Sequence, residues 1–482
     1  MTNSHNFYSL DAPAGSGKTT ALASYAVKLA NNNQKVLISQ PTKLLIQQTW
    51  QAIKRNDPSV PATPIFSKAL RRANVLADVI EHIQNAKPGQ GEVLLISQDI
   101  LNKLPKAQRK DWHLFVDEMP AGFEPFHMSI PDTHSFLTAH LKAENQVIED
   151  IVQIEAENVT ALRNLAATND DALKAYTDLV GAVLDEDRLV LASKSAFDNL
   201  VSGEKTEGAI SFFSILQPTF VEGFDSVTVM GANLDESELY LLWDKLLNVS
   251  WKKHPVLTKE LAYTTHGSGH RLTIKYLIKG NWSKDFAGKP LNGRTVFDEL
   301  CATIENELGD DFLWQANVDV PDYQFGYGLR LPGKSHGLNR PAFMKCDNVA
   351  LVMAVNHQKA ASDFLKVVGF TQEELKIVLQ YQNEYQAMMR SSLRDPTTTN
   401  DVTVVVVSEG SANWLAKRFP GCKVERIESE IPEPNTIGRV VKTDKESNAE
   451  KQRRYRENKK MRQAALTGKP YQPTKRRKPK AW

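Results

Sequence analysis

Cysteine is scarce in this chain. Its 482 residues include three, Cys301, Cys346 and Cys422, at spacings that form neither a disulfide framework nor a zinc site. That excludes a disulfide-stapled secreted fold and makes a reducing compartment, the cytoplasm, the expectation. Long apolar runs are missing as well. No stretch approaches the ~18 residues of a membrane span, and residues 1–10 carry no signal-peptide pattern, so no membrane partner is expected. Proline is absent from residues 132–217, which leaves that stretch free of the strongest helix breaker. A large excess of one charge sign is also lacking, since the whole chain carries +2. The balance is uneven, however. Residues 441–482 hold fifteen Lys/Arg against four Asp/Glu, a net of +11, which leaves residues 1–440 at −9. A hydrophobic content of 41% is that of a globular chain with room for two or three domains.

The start of the chain is its most specific feature. An apolar strand over residues 7–10 runs into Ala12-Pro13-Ala14-Gly15-Ser16-Gly17-Lys18-Thr19-Thr20, and an Ala-rich helical run over 21–30 leaves it. Strand, small-residue loop and helix in that order make a phosphate loop, with Ala12 in place of the first glycine of the pattern. Ala14, Gly15, Ser16, Gly17, Lys18, Thr19 and Thr20 are the expected ATP-binding residues, because their backbone N–H groups can curl around phosphates at a helix N-terminus. Lys18 would reach the β/γ-phosphates, and Thr19 would hold Mg²⁺. A second apolar strand, Leu114-Phe115-Val116, ends in Asp117-Glu118. On a buried parallel strand these two acids would face the phosphates, Asp117 as a Mg²⁺ ligand and Glu118 as the group that polarises the attacking water.

Strands at 7–10, 36–39, 92–97 and 114–116 alternate with helical patterns, the signature of a parallel sheet. Between 125 and 210 apolar residues recur at helical spacing, as in Val147, Ile151, Ile154 and then Leu173, Tyr176, Val180, Val183, which predicts a helical insertion. Residues 143–187 hold eleven Asp/Glu and two Lys/Arg. Such a surface repels phosphate and suits a protein partner better than nucleic acid. Strands at 211–216 and 226–230 are expected to close the first sheet. A second unit begins near Pro255, with strands at 271–277, 312–316, 348–355 and 402–407 and helices at 296–307, 360–368 and 371–390. Arg453, Arg454, Arg456, Lys459 and Lys460 then form a basic tail with Tyr455 interleaved, the composition of a non-specific nucleic-acid tether. In a eukaryotic host, Lys475-Arg476-Arg477-Lys478 would also read as a nuclear import signal.

In chain order these segments resemble the superfamily 2 helicases, whose two RecA-like domains bind ATP in the cleft between them. Ala12 to Thr20 is similar to motif I and Pro41-Thr42-Lys43-Leu44 to motif Ia, which makes Thr42 an expected nucleic-acid contact. Ser97-Gln98-Asp99 stands at motif Ib, and Asp117-Glu118-Met119-Pro120 at motif II. Gly231-Ala232-Asn233-Leu234 occupies the Ser-Ala-Thr place of motif III, with Asn233 where the family has Thr. Ser335-His336-Gly337-Leu338-Asn339 resembles motif V. Gln386, Arg390 and Arg394 resemble motif VI, whose arginines reach the γ-phosphate from the second domain in that family. Here the arginines are four apart instead of three, a spacing that puts them on one face of a helix. The phosphate loop begins close to Met1, without the upstream adenine-reading segment of DEAD-box RNA helicases, and the compact layout is similar to phage and plasmid helicases.

The resemblance implies an α/β fold of two RecA-like parallel-sheet domains, at 1–250 (with the insertion at 125–210) and 251–435, followed by a basic tail at 436–482. It implies ATP hydrolysis coupled to movement on nucleic acid, DNA favoured over RNA. A packaging ATPase with a nuclease domain, and an ATP-gated clamp that closes without unwinding, are the alternatives.

Overall fold

The computed structural model of the chain describes residues 7–67, 74–128, 134–167, 171–202, 210–333 and 340–434. Ser335, His336, Gly337, Leu338 and Asn339 lie outside the described residues, as do Arg453, Arg454, Arg456, Lys459 and Lys460.

Apolar strands alternating with helices build the first lobe. Along the chain come β1 (Phe7–Asp11), α1 (Lys18–Asn31), β2 (Lys35–Gln40), α2 (Lys43–Asn56), β3 (Ala62–Pro64) and α3 (Val75–Asn85). Then follow β4 (Glu92–Ser97), α4 (Gln98–Leu101) and β5 (Trp112–Asp117). Helices cover both faces of this sheet, so its inner strands are predominantly apolar on both faces. Alternate residues separate two cores. Val36, Ile38, Val93 and Leu95 pack with α1 and α2, whereas Leu37, Leu94 and Ile96 pack on the opposite side, as a period of two requires.

After β5 the chain departs through β6 (Phe123–Met128), α5 (Ser135–Thr138), β7 (Leu141–Ile148), β8 (Ile151–Ala156) and α6 (Val159–Ala167). It continues through α7 (Asp171–Leu184), β9 (Arg188–Ser193), α8 (Lys194–Ser202) and β10 (Ile210–Leu216). This insertion is helical only in part. Tyr176 and Val180 of α7 are buried, but β6 to β10 form a five-stranded antiparallel sheet in the order β6-β10-β9-β8-β7. The wholly helical expectation is therefore corrected. Val147, Ile151 and Ile154 imitate helical spacing because they fall on the two arms of a hairpin, in which Ile148 pairs with Ile151. Its turn places Glu149 at φ +45°, where Asn or Gly is the usual signal. Strand β10 likewise belongs to this sheet, pairing with β6 and β9, and does not close the first one. Its Phe213 and Ile215 join the first lobe's core while Phe212 joins the insertion's own. Burial on both sides gives β10 large apolar residues of both parities, Phe212, Phe213, Ile215 and Leu216, as in an inner parallel strand.

The chain returns through β11 (Ser226–Gly231), α9 (Glu238–Lys245) and β12 (Trp251–Lys253). These complete a seven-stranded parallel sheet, β12-β1-β11-β5-β2-β4-β3. Strand β12 carries this sheet past the expected division at residue 250. The second lobe follows with β13 (Leu272–Ile278), α10 (Lys284–Ala287), a hairpin of β14 (Pro290–Leu291) and β15 (Arg294–Thr295), and α11 (Val296–Leu308). Next are β16 (Leu313–Gln315), β17 (Leu329–Arg330), β18 (Asn348–Leu351), α12 (Lys359–Val368), α13 (Gln372–Lys376) and α14 (Gln382–Met388). It ends with β19 (Val402–Ser408), α15 (Glu409–Ala416) and β20 (Lys423–Arg426). Its sheet is also parallel, in the order β17-β16-β18-β19-β13-β20. Two helix-wrapped parallel sheets are the RecA-like pair that the resemblance implies. The helix expected over 371–390 runs without a break from Gln372 to Met388, as α13, a π-helical turn at Ile377–Tyr381, and α14. Among the described residues no helix is long and apolar enough to cross a membrane.

Candidate nucleotide-binding site

Two glycines shape the loop between β1 and α1. Gly15 at φ +83° and Gly17 at φ +85° occupy the left-handed region, which glycine enters without steric cost. A Cβ on Gly15 would also stand 2.8 Å from the Tyr263 hydroxyl oxygen. Ala12 lies outside that region, so alanine in place of the first glycine introduces no such backbone strain. The loop is closed by Ala12 N donating to Gly231 O at 3.1 Å and Ser16 N to Pro13 O at 3.2 Å. Helix α1 starts at Lys18 with Gly17 as its N-cap. Its first-turn N–H groups have no intrahelical acceptors and lie at the positive end of the helix dipole, which makes an anion cradle.

A cavity of about 270 Å³ opens over this cradle, lined by Ala14, Gly15, Gly17, Lys18, Thr19 and Thr20. Ser16 is fully buried behind the loop. Lys18 Nζ donates to the carbonyls of Ala12 at 2.8 Å and Pro13 at 2.9 Å. Burial pushes its pKa down to about 8, against the pull of Asp117, Glu118 and Asp11. Further negative charge in the cavity would favour the ammonium form more strongly.

Asp117 and Glu118, at the carboxyl end of β5, line the same cavity. Burial raises the Asp117 pKa to about 6, the neighbouring Glu118 raises it further, and hydrogen bonds from Gln40 and Thr19 oppose both. Gln40 Nε2 donates to Asp117 Oδ2 at 2.9 Å. Glu118 has φ +74°, a conformation a non-glycine residue holds only when its surroundings fix it. Here its N–H donates to Met230 O at 2.8 Å, and its carbonyl accepts from Gln98 Nε2 at 2.7 Å. These residues fit ATP with Mg²⁺. The Thr19 hydroxyl bonded to the Asp117 carboxylate is the hard oxygen pair that Mg²⁺ takes.

From the second lobe, Gln386, Arg390 and Arg394 reach this cavity. They do not share a helix face, because α14 stops at Met388 and Arg394 lies in a separate 3₁₀ turn at Ser392–Arg394. A turn brings both arginines to one wall instead. Burial lowers the Arg390 pKa to about 10, Arg394 adds to the shift, and Glu118 opposes it. Burial likewise lowers the pKa of Arg394. Thr42 is not at this cavity; its side chain accepts from Leu45 N at 3.2 Å and caps α2.

Several residues here carried no signal in the sequence pattern. Gln40 ends β2, beside β5, and its place at the carboxyl edge of a parallel sheet is the clue it offers. Asp11 Oδ1 accepts from Leu234 N at 2.8 Å. Asn233, already singled out at the motif III place, has φ +53°, a conformation open to Asn and strained for β-branched Thr. It joins the lobes. Its Oδ1 accepts from Arg418 Nε at 2.8 Å, and its carbonyl accepts from Gln382 Nε2 at 2.9 Å. Arg418 also pairs with Glu236. Tyr385, Tyr263 and His266 approach the phosphate loop from the chain's second half: Tyr385 Oη accepts from Ala14 N at 2.7 Å, and Tyr263 Oη donates to Ala14 O at 3.0 Å.

No family model and no curated protein matches the chain. Among solved structures it is similar to an XPD helicase, at 11% identity over 88% of this chain and 96% of that one, with a TM-score of 0.45. It is also similar to S. cerevisiae Dbp5 bound to RNA and ADP BeF3, at 10% identity over 89% and 86%, TM-score 0.36. A third is a hypothetical ATP-dependent RNA helicase from Sulfolobus tokodaii, at 11% identity over 86% and 91%, TM-score 0.23. The fold assignment stands on the topology of the two parallel sheets themselves.

Proposed function

We propose that this chain is an ATP-hydrolysing motor of the superfamily 2 helicase type that moves on a nucleic-acid strand, with DNA the strand to test first and RNA the alternative. One convergence supports this reading: Lys18, Thr19, Asp117 and Glu118 of the first lobe and Gln386, Arg390 and Arg394 of the second line one cavity. The loop N–H groups and Lys18 hold the triphosphate. Thr19 and Asp117 would hold Mg²⁺, which supplies charge neutralisation at the phosphates. Glu118 orients a water and takes its proton as the water oxygen bonds to the γ-phosphorus. The bond from that phosphorus to the β–γ bridging oxygen breaks, leaving ADP and inorganic phosphate. Arg390 and Arg394 meet the charge that spreads over the transferring group. Their hold on the first lobe therefore changes with hydrolysis, and the lobes move relative to each other. We assign 1–250, with β12 added to its sheet, and the remainder up to 435 to the two motor domains, and 436–482, with Arg453, Arg454, Arg456, Lys459 and Lys460, to a nucleic-acid tether. The acidic insertion is left for a protein partner.

Nucleotide-binding and turnover measurements test the roles separately. Glu118→Gln should bind ATP nearly as well as the parent and lose about 100-fold or more in turnover, whereas Lys18→Ala should lose binding. Turnover of Glu118→Gln at the parent rate overturns the assignment. The second reading, an ATP-gated clamp, is favoured by the direct lock of Asn233 on Arg418 and Gln382. Strand displacement on DNA and RNA duplexes, run beside ATP hydrolysis, separates a motor from a clamp.

A further inference from the structure

One face of α14 meets the first lobe. Gln382, Tyr385 and Gln386 lie at helical spacing, and each contacts a different part of it: Asn233, the Ala14 amide and the cavity wall. Tyr385 is fully buried, and two partners fix its hydroxyl at 2.7 Å each, Ala14 N and His266 Nε2. An amide N–H can only donate, so the phenol oxygen accepts from Ala14. In the Nδ1–H tautomer of His266, Nε2 is the acceptor for the phenol proton. His266 is held in this orientation by stacking on Phe419, with centroids 4.2 Å apart. Burial keeps it neutral, with a pKa of about 4. On the other side of the same residue, Tyr263 Oη donates to Ala14 O at 3.0 Å, and Ala262 N donates to Ser16 O at 3.0 Å. Both polar groups of Ala14 are thus held by the chain's second half. Ala14 directly precedes the segment whose N–H groups form the anion cradle.

We propose that Tyr385, aimed by His266, is a positioning residue that sets the phosphate loop at Ala14 and ties its shape to closure of the two lobes. The inference rests on the nucleotide reading of the site. Arg390 and Arg394 follow Tyr385 on the same segment, so a single approach of that segment both fixes the loop and delivers the arginines. Separation of the lobes undoes both together. Nucleotide can then be held while the lobes are apart, but the loop is in its working shape only when they are together.

The test uses the full-length protein and two kinds of readout. Tyr385→Phe keeps the ring and removes the hydroxyl. Without nucleotide, hydrogen exchange of peptides covering residues 12–18 should quicken about tenfold in Tyr385→Phe, as expected for loss of one buried hydrogen bond, while peptides of β13 keep parent rates. His266→Phe should reproduce this, and His266→Gln, which retains an acceptor, should lie closer to the parent. In hydrolysis, kcat of Tyr385→Phe should fall about tenfold with KM for ATP changed less than threefold. Adding Arg390→Ala should lower kcat little beyond Arg390→Ala alone, because both changes act through the same closure. Parent exchange at 12–18 in both variants overturns the proposal, as does a fall in kcat that only tracks the folded fraction. If the parent protein fails to hydrolyse ATP, the nucleotide reading fails, and the exchange experiment still decides whether Tyr385 fixes the loop.

Discussion

Burial holds the Asp117 carboxyl above the usual carboxylate range, and Gln40, ahead of Lys18 and Thr19, pulls it back toward ionisation. With a pKa of about 6, Asp117 enters its working, charged state across the mildly acidic range, so each group that favours the anion counts. Gln40 Nε2 divides its two donors between Asp117 Oδ2 and Thr49 Oγ1, both at 2.9 Å. Replacing it with Leu removes a hydrogen bond to the charged form and must raise the Asp117 pKa. The acid limb of the kcat/KM profile for ATP, which reports the free enzyme, should then move to higher pH in Gln40→Leu. A limb that stays in place or moves to lower pH would show that Asp117 does not govern it. Gln40 also illustrates what was hidden in the sequence. The phosphate loop and Asp117-Glu118 were legible because each is contiguous in the chain, strand and chemistry together. Gln40 reads as the polar end of a strand, and only the placement of β2 beside β5 gives it a role. Asn233 was visible as a departure from the resemblance, but its reason, a left-handed backbone position between two lobes, needed the fold. The Ala14–Tyr385 bond spans 371 residues, and no periodic signal links positions so far apart.

Helix α14 is held from behind as carefully as it is placed in front. Glu384, on its rear, is fully buried and accepts from Gln380 Nε2 at 2.8 Å and from the Ser411 hydroxyl. The first of these partners lies in the π-helical turn and the second in the first turn of α15. The π turn widens the backbone by one residue per turn, which interrupts the regular α-helical spacing expected over 371–390 before α14 begins. Burial pushes the Glu384 pKa up to about 7, and its two hydrogen bonds only partly counter this. The sign follows. A carboxyl whose folded pKa exceeds its unfolded value binds more protons when folded, so its contribution is present below about pH 4.5 and lost as pH rises through 7. Glu384→Gln removes that dependence while keeping shape. The melting temperature of Glu384→Gln relative to the parent should be higher at pH 8 than at pH 5, by an amount equivalent to no more than about 3 kcal/mol. An equal difference at the two pH values would mean that Glu384 is charged in the fold throughout. At this scale the insertion was the larger surprise. Its turn at Glu149 lacks the usual residues, and β10, buried from both sides, looks like a strand of the neighbouring sheet.

At the scale of the molecule, the described residues join the two lobes through two zones of opposite chemistry. Around the nucleotide cavity the contacts are polar: Tyr385 to Ala14, Gln382 and Arg418 to Asn233, Arg418 to Glu236. Water can replace such partners, so the net free energy of opening there is about 1 kcal/mol per hydrogen bond. The other zone is apolar. Phe364 of α12 stacks on Phe213 of β10 at 4.2 Å and lies 5.9 Å from Phe123 of β6. Ala361, Leu365 and Val368 join the same core as the strands of the first sheet, and Lys245 pairs with Glu374 beside it at 3.1 Å. Exposing this surface costs about 25 cal/mol per Å², with nothing in water to offset it. The apolar zone should therefore stay closed and act as the pivot, while the polar zone opens and shuts with the nucleotide. On this view the insertion serves the motor mechanically, as the seat on which α12 turns. Phe364→Ala should cost about 3 kcal/mol or more from lost burial and the cavity left behind, lowering the melting temperature. It should also loosen the lobes in the absence of nucleotide, seen as a larger radius of gyration in solution scattering, and reduce ATP turnover because Arg390 and Arg394 are no longer held near the cavity. A variant that melts earlier but keeps the parent radius and the parent turnover per folded molecule would place the pivot elsewhere.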